Sequence, residues 1–299
     1  MGGTRIGFVG LGAMGGPMAA NLARKGFRVR GFDLAPEAKL RLVEAGGEQA
    51  SDVAEAAAGA ALLLLAVATA EQVRSVLDAA LPALPQAATV VLHATVPPAF
   101  ARELGERLAA RGHPFLDAPI SGGRLKAEAG ELTIMASGND AAFAAADPAL
   151  AAMAAKVHRL GREPGIASTV KMINQHLAGV HIAAACEAMA LGVRAGADAR
   201  TLFEVISGSA GGSWMFANRV PHILARDFTP LSAVEIFVKD LGIVLDAGRA
   251  LRFPLPLAAA AHQQFLAAAA AGLGREDDSA VVKVYERLAG IEVKGRDGD

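Results

Sequence analysis

A single cysteine in 299 residues, Cys186, leaves no internal disulfide possible and points to a reducing compartment. It lies in the Ala-rich run HIAAACEAMAL and reads there as a small buried apolar residue rather than a reactive thiol. The seven histidines form no HExxH or CxxC-type pairing, so no metal site is expected. Basic tracts are missing as well. Lys and Arg number 29 against 30 acidic residues, a balance that argues against nucleic acid or an anionic membrane as partner. The N-terminus has no basic region leading into an apolar stretch and a cleavage site, so no signal peptide is expected. The charge-free runs 79–101 and 253–274 reach the roughly 20 residues of a membrane span. The first is cut by four prolines, a Gln and a His, and the second by two prolines and a central His-Gln-Gln. The expectation is a soluble, cytoplasmic protein.

What is present is apolar residue in quantity. At 53% hydrophobic and 20% charged, the chain has the material for a sizeable core. Up to about residue 160 short β-type runs alternate with helical ones. RIGFVG, RVRGFD, ALLLLAV, TVVLHA, PFLDAPI, ELTIMAS and KVHRL read as strands, while 13–25, 70–80, 98–111 and 140–154 carry helical periodicity. This alternation implies an α/β fold, a Rossmann-type doubly wound parallel sheet with helices on both faces. After 161-GREPG-165 only helical runs follow, at 166–195, 199–208, 232–251, 255–271 and 278–289. The reading is a dinucleotide-binding domain over 1–163 and an all-α substrate and dimerisation domain over 164–299.

The stretch RIGFVGLGAMGGPMAANLARKG puts Gly10, Gly12 and Gly15 in GxGxxG spacing, directly after an apolar strand and at the start of an amphipathic helix. Gly10 suits the tight turn, Gly12 the approach of a pyrophosphate to the backbone, and Gly15 close packing of helix on strand. The loop residues Leu11, Ala13 and Met14 belong to the same cofactor-binding segment. Asp33 closes the second strand, eighteen residues beyond Gly15. A carboxylate there accepts ribose hydroxyls and repels a 2′-phosphate, and no Arg follows at once to hold that phosphate. The expected cofactor is NAD rather than NADP.

Ligands in an open parallel sheet gather at the carboxyl ends of strands. Thr95 stands at one such corner in TVVLHATVPP, and Ser121-Gly122-Gly123 at another in PFLDAPISGG. The second offers donors suited to a carboxylate, although Ser-Gly-Gly is equally an ordinary loop. In the long helical run, Lys171, Asn174 and Gln175 stand at i, i+3 and i+4 and share one face. Ile166, Val170, Ile173, Leu177, Val180 and Ala184 fall on the opposite side and read as a core stripe. A solvated polar face is the plain alternative for Lys171. A base for a substrate hydroxyl is the chemical one, since desolvation and a nearby cation bring a lysine from about 10.4 toward working pH. Trp214-Met215-Phe216 reads either as core packing or as a pocket wall.

At these residues the chain resembles the β-hydroxyacid dehydrogenase family. GFVGLGAMGGPMAANL, DAPISGGRLKAEAGELTIM, KMIN and FVKDLG correspond in order across nearly the whole chain. The resemblance implies catalysis by Lys171 and substrate contacts from Ser121, Gly122, Gly123 and Asn174, with Gln175 beside them. It also implies NAD contacts from the glycine loop, Thr95 and Lys239. Read from its surroundings alone, Lys239 is equally a surface charge paired with Glu235 one turn earlier. Ala94-Thr95 stands where the family often has Ser-Thr, and Gln175 where it often has a second Asn. The latter, with KMINQHLAGVHIAAACEAMALG and FTPLSAVEIFVKDLGIVLD, is similar to the branch acting on four-carbon sugar acids such as L-threonate. The expected reaction is oxidation at C2 to 2-oxo-tetronate, with C3 the alternative, and the apolar, Ala-rich helical domain suggests a homodimer or homotetramer through the long helix. A 3-hydroxyisobutyrate dehydrogenase or a semialdehyde reductase would share the catalytic residues. A non-catalytic NAD sensor would need the glycine loop and Asp33 but not Lys171 with Asn174.

Overall fold

The computed structural model describes residues 3–295 and divides into two compact units that part between Met172 and Ile173. The first is built on a nine-stranded sheet. Its parallel part comprises β1 (Arg5–Val9), β2 (Arg28–Phe32), β3 (Glu48–Gln49), β4 (Leu62–Leu65), β5 (Thr89–Leu92) and β6 (Phe115–Asp117), in the order β3-β2-β1-β4-β5-β6. Chain order reverses at β1, which pairs with β2 on one side and β4 on the other. Beyond β6 lie β8 (Leu132–Gly138), antiparallel to it, then β7 (Ile120–Ser121) and β9 (Ala154–Gly161), both paired with β8. The expected strand PFLDAPI is divided into two at Ala118-Pro119, where Pro119 has no N–H for a ladder, while both parts keep one register along β8.

Strand β4 reads LLLL and β5 TVVL, and every residue of both is buried. Continuous apolar runs of this kind suit a parallel sheet covered on both faces. One cover includes α1 (Gly15–Arg24) and α7 (Asp140–Met153), whose Met18, Leu22, Phe143 and Leu150 pack with Phe8, Leu64 and Val91. The other includes α4 (Ala70–Ala80) and α5 (Pro98–Ala109), with Val73, Leu77, Phe100 and Leu104 against Leu63, Leu65 and Val90. Helix α4 starts on a full capping box, Thr69 and Gln72 exchanging side-chain and backbone bonds. Three short helices complete this unit: α2 (Pro36–Glu44), α3 (Val53–Ala57) and α6 (Gly123–Ala129).

The second unit is helical. After α8 (Ile166–Arg194), which begins in the first unit, come α9 (Ala199–Ser207), α10 (Trp214–Ala225), α11 (Val234–Leu251), α12 (Pro256–Ala268) and α13 (Val282–Ala289). Helix α10, which holds Pro221 in its interior, lies outside the helical runs expected from the sequence. A proline there removes one intrahelical bond, and burial of Met215, Phe216, Val220 and Ile223 offsets that loss. Phe216 is core while Trp214 is exposed. Among the described residues α8 is one helix long and apolar enough to cross a membrane by length and composition. Its Ile182, Cys186 and Met189 instead form the core of this unit with Phe237, Leu241 and Phe265.

Candidate active site

The turn after β1 has the geometry its glycines suggest. Gly10 takes φ +95°, and a Cβ on Gly15 would lie 1.9 Å from the Gly10 carbonyl oxygen, so helix and turn meet without room for a side chain. A Cβ on Gly12 would meet nothing within 4 Å, and Gly12 and Ala13 are exposed while Leu11 is buried. Open backbone at the start of α1 fits a pyrophosphate. Asp33 is tied to this loop: its Oδ2 accepts the Leu11 N–H at 2.6 Å and its Oδ1 accepts the Ala35 N–H at 2.9 Å. Each oxygen retains acceptor capacity for a ribose hydroxyl. These residues fit a nicotinamide dinucleotide.

The other strand ends of the first unit gather around α8. Asp117, at the end of β6, is fully buried; its Oδ2 accepts the N–H groups of Gly165 and Ser168, both at 2.9 Å, and its Oδ1 accepts the Ser168 hydroxyl at 2.8 Å. Ser137 Oγ accepts the Ala167 N–H at 3.1 Å. The first turn of a helix leaves its N–H groups without partners, and here a neighbouring strand supplies them. Burial raises the Asp117 carboxyl above its ordinary value against the pull of these donors. Lys171 follows one turn later and is only 7% exposed. Sequence reasoning missed Asp117, although a carboxylate closing the apolar run PFLD was a visible signal.

His93, also missed, follows β5 and is buried, with Nδ1 at 2.7 Å from the Ala118 carbonyl oxygen. A carbonyl only accepts, so Nδ1 carries the proton and Nε2 is a bare lone pair, which has no hydrogen-bond partner among the described residues. Thr95, two residues on, is half-buried. Ser121 and Gly122 are half-buried and Gly123 exposed; the two glycines take φ +134° and +71°, where a side chain would be strained. Asn21 of α1 reaches this segment by donating to the Ala127 carbonyl of α6 at 2.8 Å.

In the second unit, Asn174 Nδ2 donates to Gln175 Oε1 at 3.0 Å, and Gln175 Nε2 donates to Asp240 Oδ2 at 2.6 Å. Lys239 pairs with Asp240 Oδ1 at 2.5 Å. Helices α8 and α11 approach closely because Gly179 faces Leu241 and Phe237, where a Cβ would come within 3.0 Å of both. Most of the apolar stripe of α8 is a correction to the sequence reading: Val180 is half-buried against the helical core, but Ala184 is exposed and so are the other four. Ile166, Val170, Ile173 and Leu177 are 38, 40, 49 and 52% exposed, whereas Ser168, Lys171 and Gln175 are buried.

A glycine turn at the reversal point of a parallel sheet, an acidic residue closing the second strand and a following helical unit define a dinucleotide-dependent dehydrogenase. Residues 5–161 match the NAD-binding domain of 6-phosphogluconate dehydrogenase, and 165–285 the NAD-binding domain of NADP-dependent 3-hydroxyisobutyrate dehydrogenase. An L-threonate dehydrogenase of Cupriavidus necator is 53% identical over 97% of this chain and 98% of its own. One of Escherichia coli K12 is 47% identical over 97% and 96%. The crystal structure of a 3-hydroxyisobutyrate dehydrogenase from Salmonella typhimurium superposes with a TM-score of 0.89 at 46% identity, covering 94% of this chain and all of that one. The chain belongs to the NAD-binding hydroxyacid dehydrogenase family, of the 3-hydroxyisobutyrate dehydrogenase type. It is an NAD-dependent enzyme acting on a small hydroxyacid.

Proposed function

We propose that the enzyme oxidises L-threonate at C2 to 2-oxo-tetronate, with Lys171 as general base. The observation that carries the chemistry is the burial of Lys171 on a helix whose first turn is anchored by Asp117, in the unit that holds the glycine loop. An amine held this way is withdrawn from water and fixed in position, as a base in proton transfer requires. The relatives named L-threonate dehydrogenase support the substrate.

In this reading the backbone N–H groups around Ser121, Gly122 and Gly123 bind the substrate carboxylate. Two consecutive glycines support that role, because neither carries a side chain to screen its backbone donor. Asn174 orients the substrate hydroxyls, one turn of α8 beyond Lys171. Lys171 Nζ takes the proton of the C2 hydroxyl as the C–O bond becomes a carbonyl. Bound NAD supplies the acceptor for the hydride that leaves C2. Asp33 and the glycine loop hold that cofactor, and Thr95 lines its pocket.

The exposed stripe Ile166, Val170, Ile173 and Leu177 supports assembly of a cytoplasmic homo-oligomer through α8, since a surface row of this kind is covered by association. The second substrate reading, 3-hydroxyisobutyrate, is favoured by the name of the superposed Salmonella enzyme.

Initial rates of NADH formation on L-threonate, D-threonate, D-erythronate and 3-hydroxyisobutyrate test the proposal. Preference for L-threonate is expected, and preference for 3-hydroxyisobutyrate would overturn the substrate. Lys171→Ala is expected to lower kcat by about 10²–10⁴ with NADH still bound, and retained turnover would remove Lys171 from its role.

A further inference from the structure

The chain Asn174–Gln175–Asp240–Lys239 has a direction, and Asp240 dictates it. A carboxylate only accepts hydrogen bonds. Gln175 must therefore present its NH₂ to Asp240 Oδ2, which turns its carbonyl oxygen toward Asn174. Asn174 in turn must present Nδ2 to Gln175. Lys239 occupies the other carboxylate oxygen and, having only donors, cannot reverse the order. One N–H of the Asn174 amide is thereby spent within the protein. Its second N–H and its carbonyl oxygen take no part in that link, which leaves the amide one donor and one acceptor.

A donor and an acceptor on one amide match two neighbouring hydroxyls. The N–H bonds the oxygen whose proton leaves for Lys171, and the carbonyl oxygen accepts the O–H on the adjacent carbon. An acid with one hydroxyl uses only the N–H. We infer that Asp240 is a positioning residue which, through Gln175, orients the Asn174 amide and so selects acids bearing a vicinal diol over acids with a single hydroxyl. This deepens the proposed function and rests on the place given there to Asn174.

Asp240→Asn makes the prediction sharp. The new amide turns its oxygen to the Lys239 ammonium and its NH₂ to Gln175, so Gln175 and then Asn174 reverse. Toward the substrate the Asn174 amide loses its acceptor and keeps its donors. With NAD saturating, kcat/KM on L-threonate is expected to fall about ten-fold or more, mainly through KM, while that on 3-hydroxyisobutyrate changes by less than about three-fold. Gln175→Met breaks the chain and is expected to cause a similar loss of selectivity. Adding Asp240→Asn to Gln175→Met is expected to cost no further selectivity, because the link is already gone.

A merely structural role would lower the active fraction without moving the ratio between the two acids. An unchanged ratio in both single variants, or additive losses in the double variant, overturns the inference. If Asp240→Asn fails to fold, Gln175→Met alone decides on the same ratio. The wild-type enzyme separates the two levels. Preference for L-threonate with an unmoved ratio in the variants overturns this inference only. A wild-type enzyme that ignores L-threonate overturns the proposed function and this inference with it.

Discussion

Asp117 holds Ser168 with both carboxylate oxygens, Oδ2 on its N–H at 2.9 Å and Oδ1 on its hydroxyl at 2.8 Å. Strand β6 and the first turn of α8 are joined by this pair across 51 positions of sequence. Removing the hydroxyl in Ser168→Ala leaves one buried carboxylate oxygen short of a donor. The expected cost is about 1.5–3 kcal/mol, the usual range for a hydrogen bond to a charged group. Urea unfolding followed by far-UV circular dichroism measures it, and a midpoint equal to wild type would show that the pair contributes nothing net.

The attachment of Asp33 to the glycine loop makes a cofactor prediction with two separable parts. Asp33→Ala removes the acceptor for Leu11 N–H and for the ribose hydroxyls, so KM for NAD should rise about 10- to 100-fold, matching loss of about 1.5–3 kcal/mol. Loosening the loop should weaken NAD and NADP alike. Only loss of the carboxylate's repulsion improves NADP relative to NAD. The ratio of kcat/KM for the two cofactors is the discriminating readout, and an unchanged ratio would reduce Asp33 to a loop tether.

Much of the fold was legible because apolar runs and glycine punctuation report local geometry. RIGFVG, ALLLLAV and TVVLHA are strands because their residues are apolar on both faces, as a covered parallel sheet requires. The glycine turn was legible for the same reason, each glycine answering a steric demand in its own vicinity. What stayed hidden depends on distant partners. Nothing near Asp117 announces Ser168, and nothing near Gln175 announces Asp240. Helix α8 shows the sharpest limit. Periodicity separated its two faces correctly, but it carries no information on which face meets the rest of the chain. The polar face is the buried one, because Ser168 and Gln175 spend their hydrogen bonds on partners inside the protein.

That inversion carries its own prediction. Ile173 and Leu177 lie one turn apart on the exposed side of α8. If a second copy covers them, Ile173→Glu with Leu177→Glu places carboxylates in an apolar contact, and burying such a charge unpaired is costly. Sedimentation velocity should show wild type as a dimer or tetramer and the double variant shifted to smaller species. A stable wild-type monomer at micromolar concentration would sink assembly through this face.

His93 provides a pH dependence whose sign follows from its burial. Desolvation lowers its pKa from 6.5 to about 4, with the Ala118 carbonyl opposing. The imidazole is therefore neutral in the folded chain down to about pH 4, while an unfolded chain takes up the proton near 6.5. Between those values the unfolded state binds more protons, so stability rises with pH across the window. The contribution is complete above 6.5 and is lost as pH falls toward 4. At 1.36 kcal/mol per pH unit the gap amounts to about 3 kcal/mol. His93→Gln keeps a donor for the Ala118 carbonyl and cannot titrate, so it isolates the effect. Wild type is expected to lose about 3 kcal/mol more than His93→Gln between pH 7 and pH 4, measured by urea unfolding at each pH. Parallel curves for the two proteins would mean that His93 does become protonated in the folded state, and that its Nε2 has found a partner such as a buried water.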